Sequence, residues 1–501
     1  MQTLYFPVDD LPTRGAAGRM TDKRFLEQEI GRWLASDERA RQIAGEAYYE
    51  GVQDILRRQR TVIDENGKLK AVEHLPNNRL IDNQFAKMVD QKTNYLLGKP
   101  FSFDTESDTY GEALSSVFTR KVKRMIRIVG ENAYTGGKAW VYPYYDQQGK
   151  LAFTHFPAYE VLPFWADNEH TDLDCAVRLY PVTVYDATGE AQVVNKVEVF
   201  HGGGIDRFVW EDGILSPDPD APPTSHAVVV VDGKEKPYNW ERMPLVCFKA
   251  NHRETPLLRR VKCLQDALNL MLSNFVNSME EDVRNTVLVI HNYDGEDLGE
   301  FRRNLATYGA IKVRSYDGRD GSVETLEIAV NAENFKTVLD LLKNAIIENA
   351  RGFDAKDERL NGSPNQLNIQ SMYSDIDLDA NEMETEFQAA FEELLWFVNQ
   401  YLANTGAGVF DTEDVSVIFD RDILINESEA IDNCVKSEGI LSKETVVKAH
   451  PWVDDPQKEL ERLKQEEQDA VAADPYRAAF VNNRTAVTGA GTEGGEPDGN
   501  E

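Results

Sequence analysis

The sequence predicts an α+β protein of several domains, and three observations predict it. The chain has 501 residues, 41% of them hydrophobic and 10% aromatic, which supports a substantial core and about two to four domains. Helical periodicity dominates residues 21–131 and returns over 255–468. Between them, residues 136–248 are rich in aromatic and β-branched side chains with period-two runs, the mark of an antiparallel β region.

Taken in order, residues 1–20 read as an extended arm holding Pro7, Pro12, Gly15 and Gly18. Residues 21–59 are helical, with Ile30, Trp33 and Leu34 on one face and Ile43, Ala47 and Ile55 in a second run after Ser36. Asn66-Gly67 marks a turn. Residues 77–97 again read as a helix, anchored by Leu80, Phe85, Val89 and Tyr95 and stopped by Gly98-Lys99-Pro100. Residues 111–131 form the next helix, through Leu114, Val117, Val122, Ile126 and Val129. Strands are expected at 138–144, 151–156, 176–185, 193–200 and 227–231, with turns at 146–149, 202–204 and 232–233. The run SPDPDAPPTS at 216–225 is too proline-rich for a sheet interior and reads as an exposed loop.

The chain is organised around residues 255–406. A helix opens with Thr255 as cap and Pro256 at its first position, and its apolar stripe is Leu257, Val261, Leu264, Leu268, Met271, Phe275 and Met279. A second helix has Asn331 as cap, the stripe Phe335, Val338, Leu342, Ile346 and Ala350, and a stop at Gly352. The insert between them reads as a strand at 286–291, a helix near 298–307, and strands at 310–314 and 323–328. Residues 354–370, with Gly362, Ser363 and Pro364, are loop chemistry. A helix over 374–404 follows, roughly 45 Å long at about 1.5 Å per residue. Its stripe is Ile376, Ala380, Met383, Phe387, Phe391, Leu394, Val398 and Leu402, and Gly406 ends it. A strand at 415–420 precedes helical pieces over 426–468, broken at Pro451 and Pro456. The polar, glycine-rich residues 482–501 are expected to be disordered.

Composition narrows the function. The net charge is −32, whereas a duplex-DNA binder needs Lys and Arg for phosphate contacts. Cys175, Cys247, Cys263 and Cys434 are far apart and form no CxxC, which predicts free thiols in a reducing compartment, with Cys263 buried in its helix. No apolar run reaches 18 residues, and the first residues lack the order of a signal peptide.

Motifs for chemistry fail on inspection. Residues 130–139 hold glycines and Lys138, but no Ser or Thr follows the lysine as a phosphate loop requires. His201 and the glycines 202–204 resemble an oxyanion loop, yet no G-x-S-x-G nucleophile turn exists. Asp375, Asp377, Asp379 and Glu386 fall at calcium-loop positions, but Ala380 stands where the sharp turn needs glycine. Acids at a helix N-terminus suit the helix dipole without any metal. The eight histidines show no H-x-x-x-H spacing. A metal-dependent hydrolase with dispersed His, Asp and Glu ligands is the competing reading. Arg259, Arg260, Lys262, Lys336, Lys343 and Arg351 give the two helices of the central stretch a basic character, which as a bare reading is a solvated face.

Particular blocks go further. NNRLIDNQF at 77–85 followed by VDQKTNYLLGKP at 89–100 resembles the signature of tailed-phage portal proteins of the SPP1 type. GKAWVY at 137–142 with Tyr145-Asp146, and FPAYEVLP at 156–163, resemble the family's next blocks. SKET at 442–445 with PWVDDP at 451–456 resembles its C-terminal block, and the similarity spans residues 25–468.

The resemblance implies a ring of about twelve subunits at a capsid vertex, with closed rotational symmetry. Double-stranded DNA passes through its channel in packaging and ejection. It implies an arm at 1–20, a helical then β-rich wing at 21–254, and stem helices at 255–282 and 331–353 around a small α/β clip at 283–330. A tunnel loop follows at 354–370, then a long helix returning to the wing at 371–424, a helical crown at 425–475 and a disordered tail at 476–501. DNA would face Arg359, Asn361, Gly362, Ser363, Pro364, Asn365 and Gln366, and the channel wall would carry the basic residues named above. Asp294, Glu296, Arg302, Arg303, Tyr316 and Arg319 would dock the terminase large subunit and the head-completion or adaptor proteins. Major capsid and scaffolding proteins are further implied partners. No cofactor, catalytic residue, metal or membrane is implied, and assembly is expected in the host cytoplasm before residence in the virion. Acidic walls would repel phosphates, so that a translocating duplex is not gripped.

Overall fold

In a computed structural model of the chain, the described residues are 16–63, 67–71, 75–185, 189–231, 234–282, 287–291, 322–326, 332–354, 366–421, 427–453 and 456–473. They form two compact units, one of residues 1–354 with 374–422 and the other of 355–373 with 423–501. No described helix is long and apolar enough to cross a membrane.

The first unit opens with α1 (Lys23–Leu34) and α2 (Asp37–Tyr49), capped by Asp22 and Ser36. The face α2 buries is Gln42, Gly45 and Tyr48, whereas Ile43 is exposed. Close approach explains this: a Cβ on Gly45 would lie 1.9 Å from the Thr135 carbonyl oxygen, so the contact is made by the smallest residue rather than by an apolar stripe. A short hairpin, β1 (Thr61–Ile63) and β2 (Leu69–Ala71), precedes α3 (Gln84–Leu97). The helix expected from residue 77 starts seven residues late, at Gln84, with Asn83 as its cap. After β3 (Ser102–Asp104), the single helix expected over 111–131 is two, α4 (Asp108–Val117) and α5 (Arg120–Gly136). The break is at Phe118, whose ψ of 64° leaves the helix while its ring packs against Phe101, Phe103 and Phe391.

The β region contains β4 (Lys138–Tyr145), β5 (Leu151–Pro157), β6 (Val161–Trp165), β7 (Leu173–Tyr185), β8 (Ala191–His201), β9 (Gly204–Glu211), β10 (Ile214–Pro217), β11 (Ala227–Val231), β12 (Lys234–Tyr238) and β13 (Val246–Lys249). β6 to β10 form one antiparallel sheet in sequential order; β13, β4 and β5 form another. Alternation along β7 and β8 builds two cores. Cys175, Val177, Leu179, Val197 and Val199 pack on Leu26, Ile30 and Trp33 of α1. Ala176 and Phe200 point the other way, onto Trp140 and Phe156 of the smaller sheet. The loop expected at 216–225 is anchored instead. Ser216 and Pro217 belong to β10, an edge strand where proline's missing donor costs no ladder bond. Beyond it, Asp218 meets Lys196 at 2.6 Å and Thr224 exchanges backbone bonds with Ile205.

The central stretch contains α6 (Leu258–Asp282), β14 (Val287–His291), β15 (Ser322–Leu326) and α7 (Ala332–Asn349). The two helices pack on each other, with Phe275 and Phe335 rings 5.0 Å apart, and the two strands pair antiparallel. α6 starts three residues after the expected cap. The Thr255 hydroxyl donates to Asn251 instead, and Leu257 N–H bonds the Tyr134 carbonyl at the end of α5. Cys263 is exposed, not buried, because α6 buries the face of Val261, Gln265, Leu268 and Asn269. On the same grounds Met279 is exposed. α7 does not stop at Gly352. Arg351 takes the left-handed conformation, φ 52°, and Gly352 N–H bonds the Ile347 carbonyl. Gly352 serves close approach, since a Cβ there would lie 2.5 Å from Met88 Sδ.

α8 (Gln366–Asn404) has 39 residues, longer than expected because 366–370 are already helical. Its stripe from Ile376 to Leu402 is buried as the spacing predicts, and Gly406 ends it at φ 72°. β16 (Ser416–Ile418) then pairs with β3. In the second unit lie α9 (Glu427–Ser437), α10 (Lys443–Ala449) and α11 (Pro456–Ala473). Pro456 is no helix break; it takes the first position of α11, where its missing N–H is not needed.

Candidate functional site

Three polar devices meet where α6, α7 and α8 join the body. The first is a ladder. α6 buries Gln265, Asn269, Ser273 and Asn277, every fourth residue, where an amphipathic helix normally places apolar side chains. Each accepts from a backbone N–H, three from the segment before α3 and one from the first turn of α3 itself. Phe85 bonds Gln265 at 3.1 Å, Asp82 bonds Asn269 at 3.0 Å, Leu80 bonds Ser273 at 2.9 Å and Asn78 bonds Asn277 at 2.8 Å. The register has a geometric cause. Four helical residues rise about 6 Å and two extended residues about 6.6 Å, so alternate amides keep step with one helix face. Residues 77–83 lie outside any helix and spend their amides on this ladder, which explains why their helical periodicity misleads. Lys343 of α7 adds an ion pair to Asp82 at 2.8 Å.

The second device centres on Asp379 of α8, 5% exposed. Its carboxylate meets Lys92 of α3 at 2.8 Å and Arg260 of α6 at 2.9 Å, with Arg351 at 3.9 Å. The Lys92 ammonium also donates to the Arg351 carbonyl at 3.0 Å. Burial pulls the Lys92 pKa below its ordinary value, and the Asp379 carboxylate opposes that. Burial pushes the neighbouring Tyr134 phenol well up, so it stays neutral. Beside this hub, Asp377 accepts from Tyr95 at 2.5 Å and from Arg421 at 2.9 Å, and Arg421 also pairs with Glu384.

The third device is Glu254, just before α6. Lys138 at 2.5 Å, His170 at 2.7 Å and Lys249 at 3.2 Å surround its nearly buried carboxylate. Burial works to raise its pKa; Lys138, His170 and Lys249 outweigh that and hold it well below the ordinary carboxylate range. Gly137, φ 86°, lies against this residue: a Cβ there would be 2.1 Å from the Glu254 carbonyl oxygen. The block GKAWVY thus begins with a glycine required by both conformation and space, and a lysine committed to an ion pair.

Of the four acids at calcium-loop positions, Asp377 and Asp379 are taken up in the protein contacts described above. Among the described residues, no three His, Cys, Asp or Glu side chains are grouped to hold a metal ion. Of the six basic residues expected on a channel wall, Arg260, Lys343 and Arg351 are tied to acids as described. Lys262 is bound by Asp54 at 2.5 Å and Asp266 at 2.8 Å. Arg259 and Lys336 are exposed. Gln366 is the first residue of α8 rather than part of a loop. Arg359, Asn361, Gly362, Ser363, Pro364 and Asn365, and the docking candidates Asp294, Glu296, Arg302, Arg303, Tyr316 and Arg319, lie outside the described residues. Sequence reasoning missed the ladder and both hubs. The signal available for the ladder was the four-residue recurrence of amide and hydroxyl side chains in α6.

Comparison with known proteins agrees with the blocks quoted above. The family described as Phage portal protein, SPP1 Gp6-like, matches residues 35–473. The portal protein of Bacillus phage SPP1 is 28% identical over 432 residues, 85% of this chain and 83% of that protein. The portal protein of Clostridium phage phiCD119 is 26% identical over 463 residues, 88% of this chain and 96% of that protein. A chain from the virion of a native gene transfer agent particle aligns over 72% of this chain and 87% of its own, with TM-score 0.38 and 11% identity. The chain belongs to the SPP1 Gp6-like family of phage portal proteins.

Proposed function

We propose that the chain is the repeating subunit of a ring at the capsid vertex, through which double-stranded DNA is packaged and ejected. The observation that carries this reading is the family match over residues 35–473. The paired helices α6 and α7, with the β14–β15 hairpin between them in sequence, suit a stem and clip around a channel. The ring has about twelve copies and closed symmetry. The clip receives the terminase large subunit during packaging and head-completion proteins afterwards; capsid and scaffolding proteins surround the wing. ATP hydrolysis belongs to the terminase, and this chain supplies a passage.

On this reading the tunnel loop ends before Gln366, where α8 begins. The channel favours transient contact over grip, in keeping with a net charge of −32 and with four of the six candidate wall cations held by acids of their own chain. Negative-stain microscopy of the purified protein tests the main reading: rings with a central hole are expected, and a stable monomer at micromolar concentration overturns it. Replacement of residues 361–365 by a glycine–serine run tests the loop. Packaging is expected to fail while rings persist, and normal packaging removes the loop's role.

A further inference from the structure

α4 has opposite charge at its two ends. Beyond its C-terminal end lies a cleft lined by Lys99, Arg120, Lys123, Arg124 and Arg127, with Phe101 and Phe118 as its apolar floor. No Asp or Glu lines it, in a chain with 86 acids against 54 Lys and Arg. Lys123 donates to the Phe101 carbonyl and Arg127 to the Asn94 side chain. Arg120 and Arg124 are exposed. Arg120 opens α5, whose first turn holds no acid and whose cap Thr119 makes no side-chain bond. Cations here oppose the helix dipole, so the chain bears a local repulsion that an anion from outside relieves.

At the N-terminal end of α4 the charge reverses. Asp104, Glu106 and Asp108 are exposed, and the return segment brings exposed Asp411, Glu413 and Asp414 beside them. Two contacts fix this neighbourhood: Tyr110 stacks on Phe410 at 4.6 Å, and Ser416 pairs with Asp104. The ten residues of α4 separate the acidic knob from the basic cleft by about 15 Å.

We propose that the cleft of one copy receives the acidic knob of the next. Two different, complementary patches on one chain are what a head-to-tail interface needs, whereas a two-fold dimer pairs a patch with itself. The inference rests on the ring reading above. It adds the surface through which copies carrying −32 each overcome their mutual repulsion.

Charge exchange tests it. Variant one carries R120E and R124E in the cleft; variant two carries E413R and D414R in the knob. Native mass spectrometry and negative stain read assembly, and circular dichroism confirms that each variant folds. Each folded variant alone is expected to lose at least tenfold in ring yield against the native chain. Their equimolar mixture is expected to recover rings with the two variants alternating. Native-like rings from the cleft variant alone overturn the proposal, as does failure of two folded variants to assemble when mixed. Rings that persist in the cleft variant while retention on heparin drops assign the cleft to a polyanion instead, and also overturn it. A native chain that forms no ring rejects the ring reading itself, so the two failures are distinct.

Discussion

Asp379→Ala removes the one carboxylate that offsets a fully buried ammonium. The Lys92 side chain is 0% exposed, and without Asp379 its remaining acceptor is the Arg351 carbonyl at 3.0 Å. Arg260, with a third of its side chain exposed, can turn to water; Lys92 cannot. Breaking a buried pair by deleting one partner costs about 3–5 kcal/mol. A typical domain has about 5–15 kcal/mol in total. Lys92 has one escape, to fold without its proton. Then the unfolded state binds one proton more than the folded state, and stability rises with pH by about 1.4 kcal/mol per unit below the ordinary lysine value. Thermal and urea melts at fixed subunit concentration, at pH 7 and pH 9, measure both effects. The variant is expected to melt well below the native chain at pH 7 and to recover part of the gap at pH 9. Adding Lys92→Met should recover stability at both values by removing the stranded charge. A loss under about 1 kcal/mol at pH 7, within the range of surface substitutions, refutes the hub.

Three further outcomes follow from the same contacts. Gly137→Ala combines a φ of 86° with a Cβ placed 2.1 Å from the Glu254 carbonyl, so a loss of about 3 kcal/mol or more is expected in urea denaturation; a near-native variant removes the steric argument. Asn269→Ala leaves the Asp82 N–H without its acceptor and should cost about 1–3 kcal/mol, while Leu270→Ala, at an exposed position on the same helix, should cost little; equal effects reject the ladder. Glu254 has a folded pKa depressed by its cations, so its contribution is fully present above the unfolded carboxylate value, starts to fall below it, and is lost only as pH drops through the much lower folded value. Glu254→Gln is therefore expected to melt lower than the native chain at pH 7, with a gap that has begun to narrow at pH 3.5 without closing; a gap that does not narrow contradicts the assignment.

How much of this was legible in the sequence depended on the kind of burial. Apolar stripes read well: every residue expected on the buried stripe of α8, from Ile376 to Leu402, is buried. The five strands given bounds in the β region fell close to them because alternation there separates two real cores, while β6, β9, β10, β12 and β13 were not anticipated. Polar burial read badly. Residues 77–83 have helical spacing yet form no helix, because their amides bond α6 side chains about 190 residues away, and no local pattern reports such a partner. Cys263 and Met279 were misplaced for the same reason, since α6 buries amides rather than its most apolar face. The hub was equally hidden. Asp379 sat among so many acids that its neighbours Lys92, Arg260 and Arg351 could be found only in the fold.

The ladder and the hub together constrain what residues 355–365 can transmit. That segment leaves α7 after Arg351 and enters α8 at Gln366. Lys92 contacts both flanks, the Arg351 carbonyl before the segment and Asp379 after it, so one ammonium ties the two ends to α3. α3 in turn begins at the end of the ladder, where Phe85 bonds Gln265. α6 cannot slide by half a turn, about 2.7 Å, without moving four buried acceptors off four amides. Each orphaned amide costs about 1–3 kcal/mol, so such a slide is opposed by several kcal/mol before any apolar contact is counted. A pull on the segment is therefore expected to reach the body through Lys92 and to leave the register of α6 unchanged.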